Sequence, residues 1–228
     1  MTLTYYGQSC FLVDVQGKKI LFDPFISGNP LATNIIVDDI KADYIFVSHG
    51  HGDHVGDLIA IAQRTKATVV CAAEIADWLG TKDVENVLMM NHGGYINFPF
   101  GKARGVNAVH SSTMPDGASG GNPMGFVFST TEGDFYFAGD TALTMDMQLI
   151  PLWANLKFSV MPIGGHFTMD VADAVYATGF VKCDTVIGVH YDTYGYITIN
   201  KEQALADFTI AGKTLLVPAI GETIHFKF

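Results

Sequence analysis

The stretch ADYIFVSHGHGDH, residues 42–54, joins a short apolar run to a dense group of polar residues. The apolar run, residues 43–47, predicts a strand buried on both faces. The polar group that follows contains His49, His51, Asp53 and His54. Imidazole nitrogens and carboxylate oxygens are the donors that Zn, Mn and Fe accept. Packing does not explain so many of these donors directly after a buried strand, so the sequence predicts a metal site.

Glycines separate the first donors of this group. In an extended loop, residues two apart point in the same direction, so His49, His51 and Asp53 are expected to face one site. The intervening glycines carry no side chain that blocks this approach. His54 is expected at the start of a helix over residues 55–65, whose apolar residues recur at helical spacing. From there it approaches the site from another side.

The composition excludes several classes of protein. The formal net charge is −10, from 13 Lys and Arg against 23 Asp and Glu, which is not the charge of a nucleic-acid-binding protein. No apolar run approaches the roughly 20 residues that span a membrane. The three cysteines do not have the spacing of metal ligands. The first residues of the sequence do not have the pattern of a signal peptide. Together these two observations predict a cytoplasmic protein. The expected partner is a small-molecule substrate, with no nucleic acid and no membrane.

The pattern along the chain alternates short strands with helices. Strands are predicted at residues 3–6, 11–15, 19–22, 68–72, 86–90, 95–98, 103–109, 125–129, 134–138, 158–162, 185–189, 213–217 and 222–227. Helices are predicted at residues 74–79, near 143–150 and 170–180, and at 201–211, besides the helix at 55–65. No linker or repeat interrupts this order. It predicts one domain over residues 1–228, of class α/β (α+β), with two sheets packed face to face and helices outside.

Three further polar residues directly follow predicted strands. They are His110, Asp140 and His190. Taken singly, the histidines are ordinary loop residues and the aspartate is a turn residue. Taken together, they supply the coordination that the group at residues 49–54 lacks. The sequence therefore favours ligation by all three.

The motif HGHGDH resembles the HxHxDH motif of the metallo-β-lactamase superfamily. The segments YYGQSCFLV, LFDPF, FAGDT, MPIGGHFTMD and GVHYDT follow in an order similar to that of its small, single-domain metal-dependent hydrolases, the ascorbate-6-phosphate lactonase-like proteins. The resemblance implies a four-layer αββα sandwich, a homo-oligomer, and two divalent metal ions per chain. It implies one ion on His49, His51 and His110, a second on Asp53, His54 and His190, and Asp140 bridging them. Zn or Mn is expected, with Ni or Fe as alternatives.

Two ions that share a water lower its pKa and hold it as hydroxide. The expected activity is hydrolysis by this hydroxide of a small, anionic substrate: a phosphoester, a lactone or a related ester. Asp53 and His166 are the candidate catalytic residues, because the resemblance places the loop of His166 beside the metals. A structural or exposed role for His166 is the alternative. Two other functions stay open: a non-catalytic metal-binding or sensor protein that keeps the fold, and a mononuclear iron oxidoreductase.

Two residues outside the motif have competing interpretations. Relatives commonly carry histidine at the position of Gln8, and glutamine donates hydrogen bonds but does not titrate near neutral pH. Gln8 therefore either contacts the site without exchanging protons or simply ends the first strand. Asp23, before Pro24, either orients a ligand histidine or forms a turn.

Overall fold

The computed structural model describes residues 1–227, which divide into two compact units. The first unit comprises residues 1–91, 111–123 and 219–227, and the second comprises residues 92–110 and 124–218. Each unit contains one seven-stranded sheet with its own helices. The predicted α/β (α+β) class with two sheets is thereby confirmed. The assignment of residues 1–228 to a single domain stays a prediction, and its last residue lies outside the described part of the chain.

The secondary structure follows the predicted order. The strands are β1 (Thr2–Gly7), β2 (Cys10–Val15), β3 (Lys18–Phe22), β4 (Tyr44–Phe46), β5 (Thr68–Cys71), β6 (Val87–Met89), β7 (Tyr95–Phe98), β8 (Gly101–Asn107), β9 (Met124–Ser129), β10 (Asp134–Phe137), β11 (Leu156–Pro162), β12 (Thr185–Val189), β13 (Thr214–Leu216) and β14 (Thr223–His225). The α-helices are α1 (Gly52–Val55), α2 (Leu58–Thr65), α3 (Ala73–Gly80), α4 (Val171–Val181) and α5 (Lys201–Ile210). Short 3₁₀ helices span Val37–Asp39, Met145–Leu152 and Gly195–Ile197. Within residues 1–227, no helix combines the length and the apolar character needed to cross a membrane.

The sheet of the first unit has the strand order β14-β1-β2-β3-β4-β5-β6. Strands β3 to β6 run parallel, and β1, β2 and β3 pair antiparallel. Phe11, Phe22 and Phe46 are register partners across β2, β3 and β4. Their rings stack with centroids 4.4 and 5.7 Å apart. This buried aromatic row holds the centre of the sheet together, because cross-strand partners share one face.

The sheet of the second unit has the strand order β13-β12-β11-β10-β9-β8-β7. Strands β10 to β13 are parallel, and β7 to β10 are antiparallel. Phe128, Phe135 and Phe158 stack in one row, with centroids 4.4 and 5.2 Å apart. Val127 and Tyr136 belong to a separate buried cluster that also contains residues of α4 and α5 and of the 3₁₀ helix Met145–Leu152.

The direction of the strands brings functional loops to one edge of each sheet. In the first unit, β3 and β4 are parallel neighbours, and Asp23 and Ser48 follow their carboxyl ends. In the second unit, β10, β11 and β12 are parallel neighbours, and Asp140, His166 and His190 follow them. Loops after the carboxyl ends of adjacent parallel strands are where open α/β sheets place ligand sites.

Two helices differ from the prediction for identifiable reasons. The helix predicted over residues 55–65 is broken, because α1 ends at Val55 and α2 begins at Leu58. Between them, the buried Asp57 carboxylate accepts hydrogen bonds from Ile26 N at 2.6 Å and Ser27 N at 2.9 Å. The helix predicted near residues 143–150 is a 3₁₀ helix that contains Pro151, which lacks the N–H that an α-helix interior requires.

The aromatic row of the second unit leads to a prediction about stability. Phe135 is fully buried and stacks on both sides. We expect Phe135→Ala to lower the free energy of unfolding by about 3–5 kcal/mol, through lost burial and the cavity left behind. Phe135→Leu is expected to lower it less. Urea unfolding followed by circular dichroism measures both.

Ile210→Ala is the control, because this side chain is 84% exposed. It should change the free energy of unfolding by less than about 0.5 kcal/mol. A Phe135→Ala variant as stable as this control contradicts the importance of the row.

Candidate metal centre

The first cluster consists of His49, His51, Asp53 and His54 in the first unit. The structure brings these four together. The rings of His49 and His51 lie 4.5 Å apart, and those of His49 and His54 lie 4.1 Å apart. His49 Nε2 is 3.0 Å from His51 Nδ1, and Asp53 Oδ2 is 3.5 Å from His54 Nε2. Convergent nitrogen and oxygen donors of this kind suit a divalent ion, so the four residues are a candidate ligand group.

The backbone of this cluster departs from the expected extended loop. His51 is the last extended residue, and its carbonyl accepts a hydrogen bond from His54 N at 2.9 Å. Asp53 therefore lies within α1, and the prediction that it continues an extended loop is wrong. Its carboxylate still reaches the cluster. Asp53 and His54 are neighbours in this helical turn, so their side chains can coordinate the same ion from different directions.

Hydrogen bonds to Asp23 hold His54 and the adjoining Ser48 in position. Asp23 Oδ2 accepts hydrogen bonds from His54 Nδ1 at 2.8 Å and Ser48 Oγ at 2.6 Å, and its Oδ1 accepts one from Ser48 N at 2.7 Å. Burial raises the pKa of the Asp23 carboxyl, while His54 and Ser48 act in the opposite direction. Because Asp23 holds the Nδ1 side of the His54 ring, the Nε2 side faces Asp53, whose Oδ2 lies 3.5 Å away. This supports the orienting role predicted for Asp23.

Gln8 also touches the cluster. It is only 1% exposed, and its Nε2 donates a hydrogen bond to Asp53 Oδ2 at 2.9 Å. Tyr5 Oη in turn donates to the carbonyl of Gln8 at 3.1 Å. Of the two interpretations of Gln8, the structure supports contact with the site. An amide in this position orients the Asp53 carboxylate and exchanges no proton with it.

A loop of the first unit closes over Gly50. Gly50 N donates a hydrogen bond to Ser112 Oγ at 3.0 Å. A Cβ atom on Gly50 would lie 2.5 Å from Met114 Sδ and 3.3 Å from Gly120 Cα. The loop leaves no room for a side chain at this position. Ser111 Oγ lies 3.3 Å from His51 Nε2, so this loop also contacts a histidine of the cluster.

The second cluster consists of His110, Asp140 and His190 in the second unit. Asp140 Oδ2 lies 2.9 Å from His190 Nε2 and 3.6 Å from His110 Nε2. Asp140 and His190 are nearly fully buried. The loops that carry His110 and Asp140 are joined, because Val109 N donates to Thr141 Oγ1 at 2.9 Å and Val109 O accepts from Ala142 N at 3.1 Å.

His166 has aromatic neighbours. Its ring stacks on Tyr196 with centroids 5.2 Å apart and meets Phe167 edge-on at 4.4 Å. Tyr196 is 74% exposed and Phe167 is 50% exposed. The three rings form an exposed aromatic surface on loops that follow β11 and β12. Sequence analysis missed Phe167 and Tyr196, since nothing in the local pattern distinguishes them from ordinary surface residues. A catalytic role for His166 stays a prediction.

Four polar residues at these strand ends have positive backbone φ angles. They are Gln8, Asp23, His166 and His190, with φ between 41° and 60°. Residues other than glycine rarely adopt this left-handed conformation, and strained backbone of this kind clusters at functional sites. The sequence offers no signal for it, because tertiary contacts impose the conformation.

Comparison with known proteins agrees with this geometry. The family described as "Beta-lactamase superfamily domain" matches residues 2–190. The "UPF0173 metal-dependent hydrolase" of Flavobacterium johnsoniae is 50% identical, covering 99% of this chain and 100% of that protein. Its counterpart in Christiangramia forsetii is 48% identical, with the same coverage. The structure of Igni18, a metallo hydrolase from Ignicoccus hospitalis, superposes with a TM-score of 0.90 at 33% identity, covering 100% of this chain and 98% of that chain.

The contacts of Asp23 predict an effect on metal binding. Asp23→Asn replaces an acceptor of three hydrogen bonds by an amide with one acceptor oxygen. We expect about a 10- to 100-fold loss of Zn affinity, because partners of ligand histidines contribute this much. Competition with a chromogenic chelator measures the affinity, and circular dichroism checks the fold.

Asp43→Asn serves as the matched control. Asp43 also adjoins a strand end and accepts a hydrogen bond, from Lys19 N, but its contacts lie outside the cluster. If Asp43→Asn and Asp23→Asn bind Zn equally well, Asp23 has no orienting role.

Proposed function

The chain belongs to the beta-lactamase superfamily and is a metal-dependent hydrolase, and we propose that it uses two divalent metal ions to hydrolyse a small anionic ester. The observation that carries the two-ion proposal is the pair of donor clusters. The first contains three histidines and one aspartate, the second contains two histidines and one aspartate, and the donor atoms of each lie close together. The two clusters together provide seven candidate donor residues, which is more than a single Zn ion binds.

The ligand assignment follows the resemblance residue by residue. By this resemblance, His49, His51 and His110 would hold one ion, Asp53, His54 and His190 would hold the second, and Asp140 would be shared by both. The contacts of Asp140 support its role, because a single carboxylate oxygen lies near both histidines of the second cluster.

The donor chemistry favours Zn or Mn, with Ni or Fe as alternatives. All seven candidate ligands offer nitrogen or oxygen. Among residues 1–227, the groups of side chains that lie close enough together to share an ion contain histidine and aspartate and no cysteine.

When bound, the ions supply Lewis acidity and make a coordinated water acidic enough to attack near neutral pH. The residues of the chain hold the arrangement in place. Gln8 fixes the Asp53 carboxylate by donating to Oδ2. Asp23 fixes His54. His166 remains the candidate for moving a proton to or from the substrate, since Gln8 cannot do so.

The positive charge of the ions favours an anionic substrate: a phosphoester, a lactone that carries an anionic group, or a related ester. Helix α1 adds little to this preference, because it has only four residues and a short helix has a small dipole. The exposed rings of His166, Phe167 and Tyr196 flank the same sheet edge as Asp140 and His190. They suit a substrate with an apolar portion next to its ester.

The two-ion proposal predicts a stoichiometry. Purified protein saturated with Zn or Mn should hold about two metal equivalents per chain, and a chelator should abolish hydrolysis. Elemental analysis after gel filtration measures the metal, and a panel of phosphodiesters, lactones and thioesters measures activity. One equivalent at saturation excludes the two-ion centre, and iron in the protein as purified, before any metal is added, favours the mononuclear iron alternative. Two equivalents with no activity on any substrate favour a binding protein.

Asp140→Asn should lower metal content and turnover together. Asp184→Asn is the control, because Asp184 pairs with Lys213 on the surface. If Asp140→Asn keeps both ions and full activity, the bridging assignment is wrong.

The role of His166 is tested by two substitutions. His166→Phe keeps an aromatic ring against Tyr196, and His166→Gln keeps a polar side chain. If His166 transfers a proton, both variants should lose kcat by about 100-fold or more with metal content unchanged. Tyr196→Phe, which keeps the stacked ring, is the control. Full kcat in His166→Phe shows that the ring only stacks.

A further inference from the structure

The two ring nitrogens of His51 face different neighbours within the first unit. Its Nδ1 lies 3.0 Å from His49 Nε2, and its Nε2 lies 3.3 Å from Ser111 Oγ. Two nitrogens that bind one Zn ion at about 2.0–2.1 Å in tetrahedral geometry lie about 3.3 Å from each other. His49 Nε2 and His51 Nδ1 are close to this separation. Nδ1 is therefore the candidate ligand atom of His51, and Nε2 is the outer nitrogen of the ring.

The outer nitrogen of a ligand histidine needs a hydrogen-bond acceptor. A neutral imidazole that binds a metal through one nitrogen carries its proton on the other. That N–H almost always has an acceptor, which fixes the tautomer and the orientation of the ring. Ser111 Oγ lies within hydrogen-bond range of His51 Nε2, and a hydroxyl oxygen has lone pairs to accept with. Asp23 meets the same requirement for His54.

Ser111 is exposed, so it can orient a histidine only if its own backbone is restrained. The first restraint lies directly beside His51. Ser112 Oγ accepts a hydrogen bond from Gly50 N at 3.0 Å. Met114 is buried and packs against Gly50, since a Cβ atom there would lie 2.5 Å from its Sδ. These contacts join the residue after Ser111 to the residue before His51.

The restraint extends along a hairpin formed by residues 112–120. Thr113 and Ser119 form an antiparallel bridge. Beyond this bridge, Met114 N donates a hydrogen bond to the Ala118 carbonyl at 2.8 Å. Because its two sides are paired, the hairpin moves as one unit, and a contact at its tip also limits movement at its base.

The tip of this hairpin is attached to helix α3. Trp78 Nε1 donates a hydrogen bond to Asp116 Oδ2 at 2.7 Å, and Lys82 Nζ lies 3.9 Å from the same oxygen. The hydrogen bond from Trp78 lowers the pKa of the Asp116 carboxyl, with smaller effects from Ala118 N and Lys82. The exposed ion pair contributes little. The hydrogen bond from Trp78 is the main restraint, because its acceptor is charged.

We propose that Ser111 is a positioning residue for the candidate ligand His51. Ser111 Oγ accepts the Nε2–H hydrogen bond that keeps Nδ1 directed at the ion, and the hairpin 112–120, attached through Asp116, holds Ser111 in place. This role rests on the proposed function, because it requires an ion at His49 and His51. It requires that ion alone, so it applies to a centre of one ion as well as to a centre of two.

The tautomer of His51 tests the proposal without any assay of activity. Long-range ¹H–¹⁵N NMR of assigned, Zn-loaded protein distinguishes a protonated ring nitrogen from a Zn-bound one. We expect Zn on Nδ1 of His51 and a proton on Nε2. This proton should exchange with water at least about 5-fold faster in Ser111→Ala, because its acceptor is gone. Zn on Nε2, or equal exchange in both proteins, overturns the proposal.

Zn affinity, measured by competition with a chromogenic chelator, gives the second test. Ser111→Ala should bind Zn about 10-fold more weakly. Ser111→Thr keeps the hydroxyl and should restore the affinity. The control is Ser129→Ala, which removes a hydroxyl at the end of β9 in the second unit. Equal affinity in Ser111→Ala and Ser129→Ala overturns the proposal but leaves the proposed function intact. Wild-type protein that binds no Zn contradicts both.

A further substitution tests the attachment of the hairpin. Trp78→Phe keeps a ring but removes the indole N–H, and it should lower Zn affinity by about 3-fold. Combined with Ser111→Ala, it should add little, because it acts through Ser111. Gln63→Met is the control, since Gln63 donates an exposed hydrogen bond to the Lys82 carbonyl, outside the hairpin. Unchanged affinity in Trp78→Phe, or fully additive losses, shows that the hairpin does not hold Ser111 in place.

Discussion

The hydrogen bonds of the Asp23 carboxylate hold the first cluster in place. This fully buried group accepts from Ser48 N, Ser48 Oγ and His54 Nδ1. It joins the end of β3 to the end of β4 and to α1. A buried carboxylate is tolerated only when its oxygens are satisfied, so the ends of these strands and the ring of His54 must keep their positions. The orientation of His54, a candidate ligand, is therefore a consequence of the burial of Asp23.

The second cluster is held by different means. Its histidines and Asp140 follow strands β8, β10 and β12. The backbone of Val109 joins the loops after β8 and β10, because its N–H donates to Thr141 Oγ1 and its carbonyl accepts from Ala142 N. His190 adopts a left-handed backbone conformation there. Such strain persists only where the surrounding structure imposes it. Both units thus keep polar, strained residues at the carboxyl ends of well-packed parallel strands, where rigid sheets can hold ligand atoms steady.

Several elements could be read directly from the residue pattern. Strand β12 occupies the predicted residues 185–189, because a short β-branched run bounded by polar residues has few other stable conformations. The secondary-structure prediction was wrong where a contact with a distant residue changed the local structure. The break between α1 and α2 depends on Asp57 and the backbone of residues 26 and 27. A local apolar period contains no information about such a contact.

The sequence by itself determined the candidate donor residues, the two-sheet class and the family, because donor chemistry, apolar periodicity and the spacing of HGHGDH are local properties of the chain. Only the tertiary structure decided that Gln8 reaches Asp53 and that Asp23 reaches His54, contacts that span 45 and 31 residues. It alone placed Ser111 beside His51. The physical reason is the same in each case. Strand register and loop closure bring distant residues together, and the residues next to a position in the sequence do not indicate which distant residue it will contact.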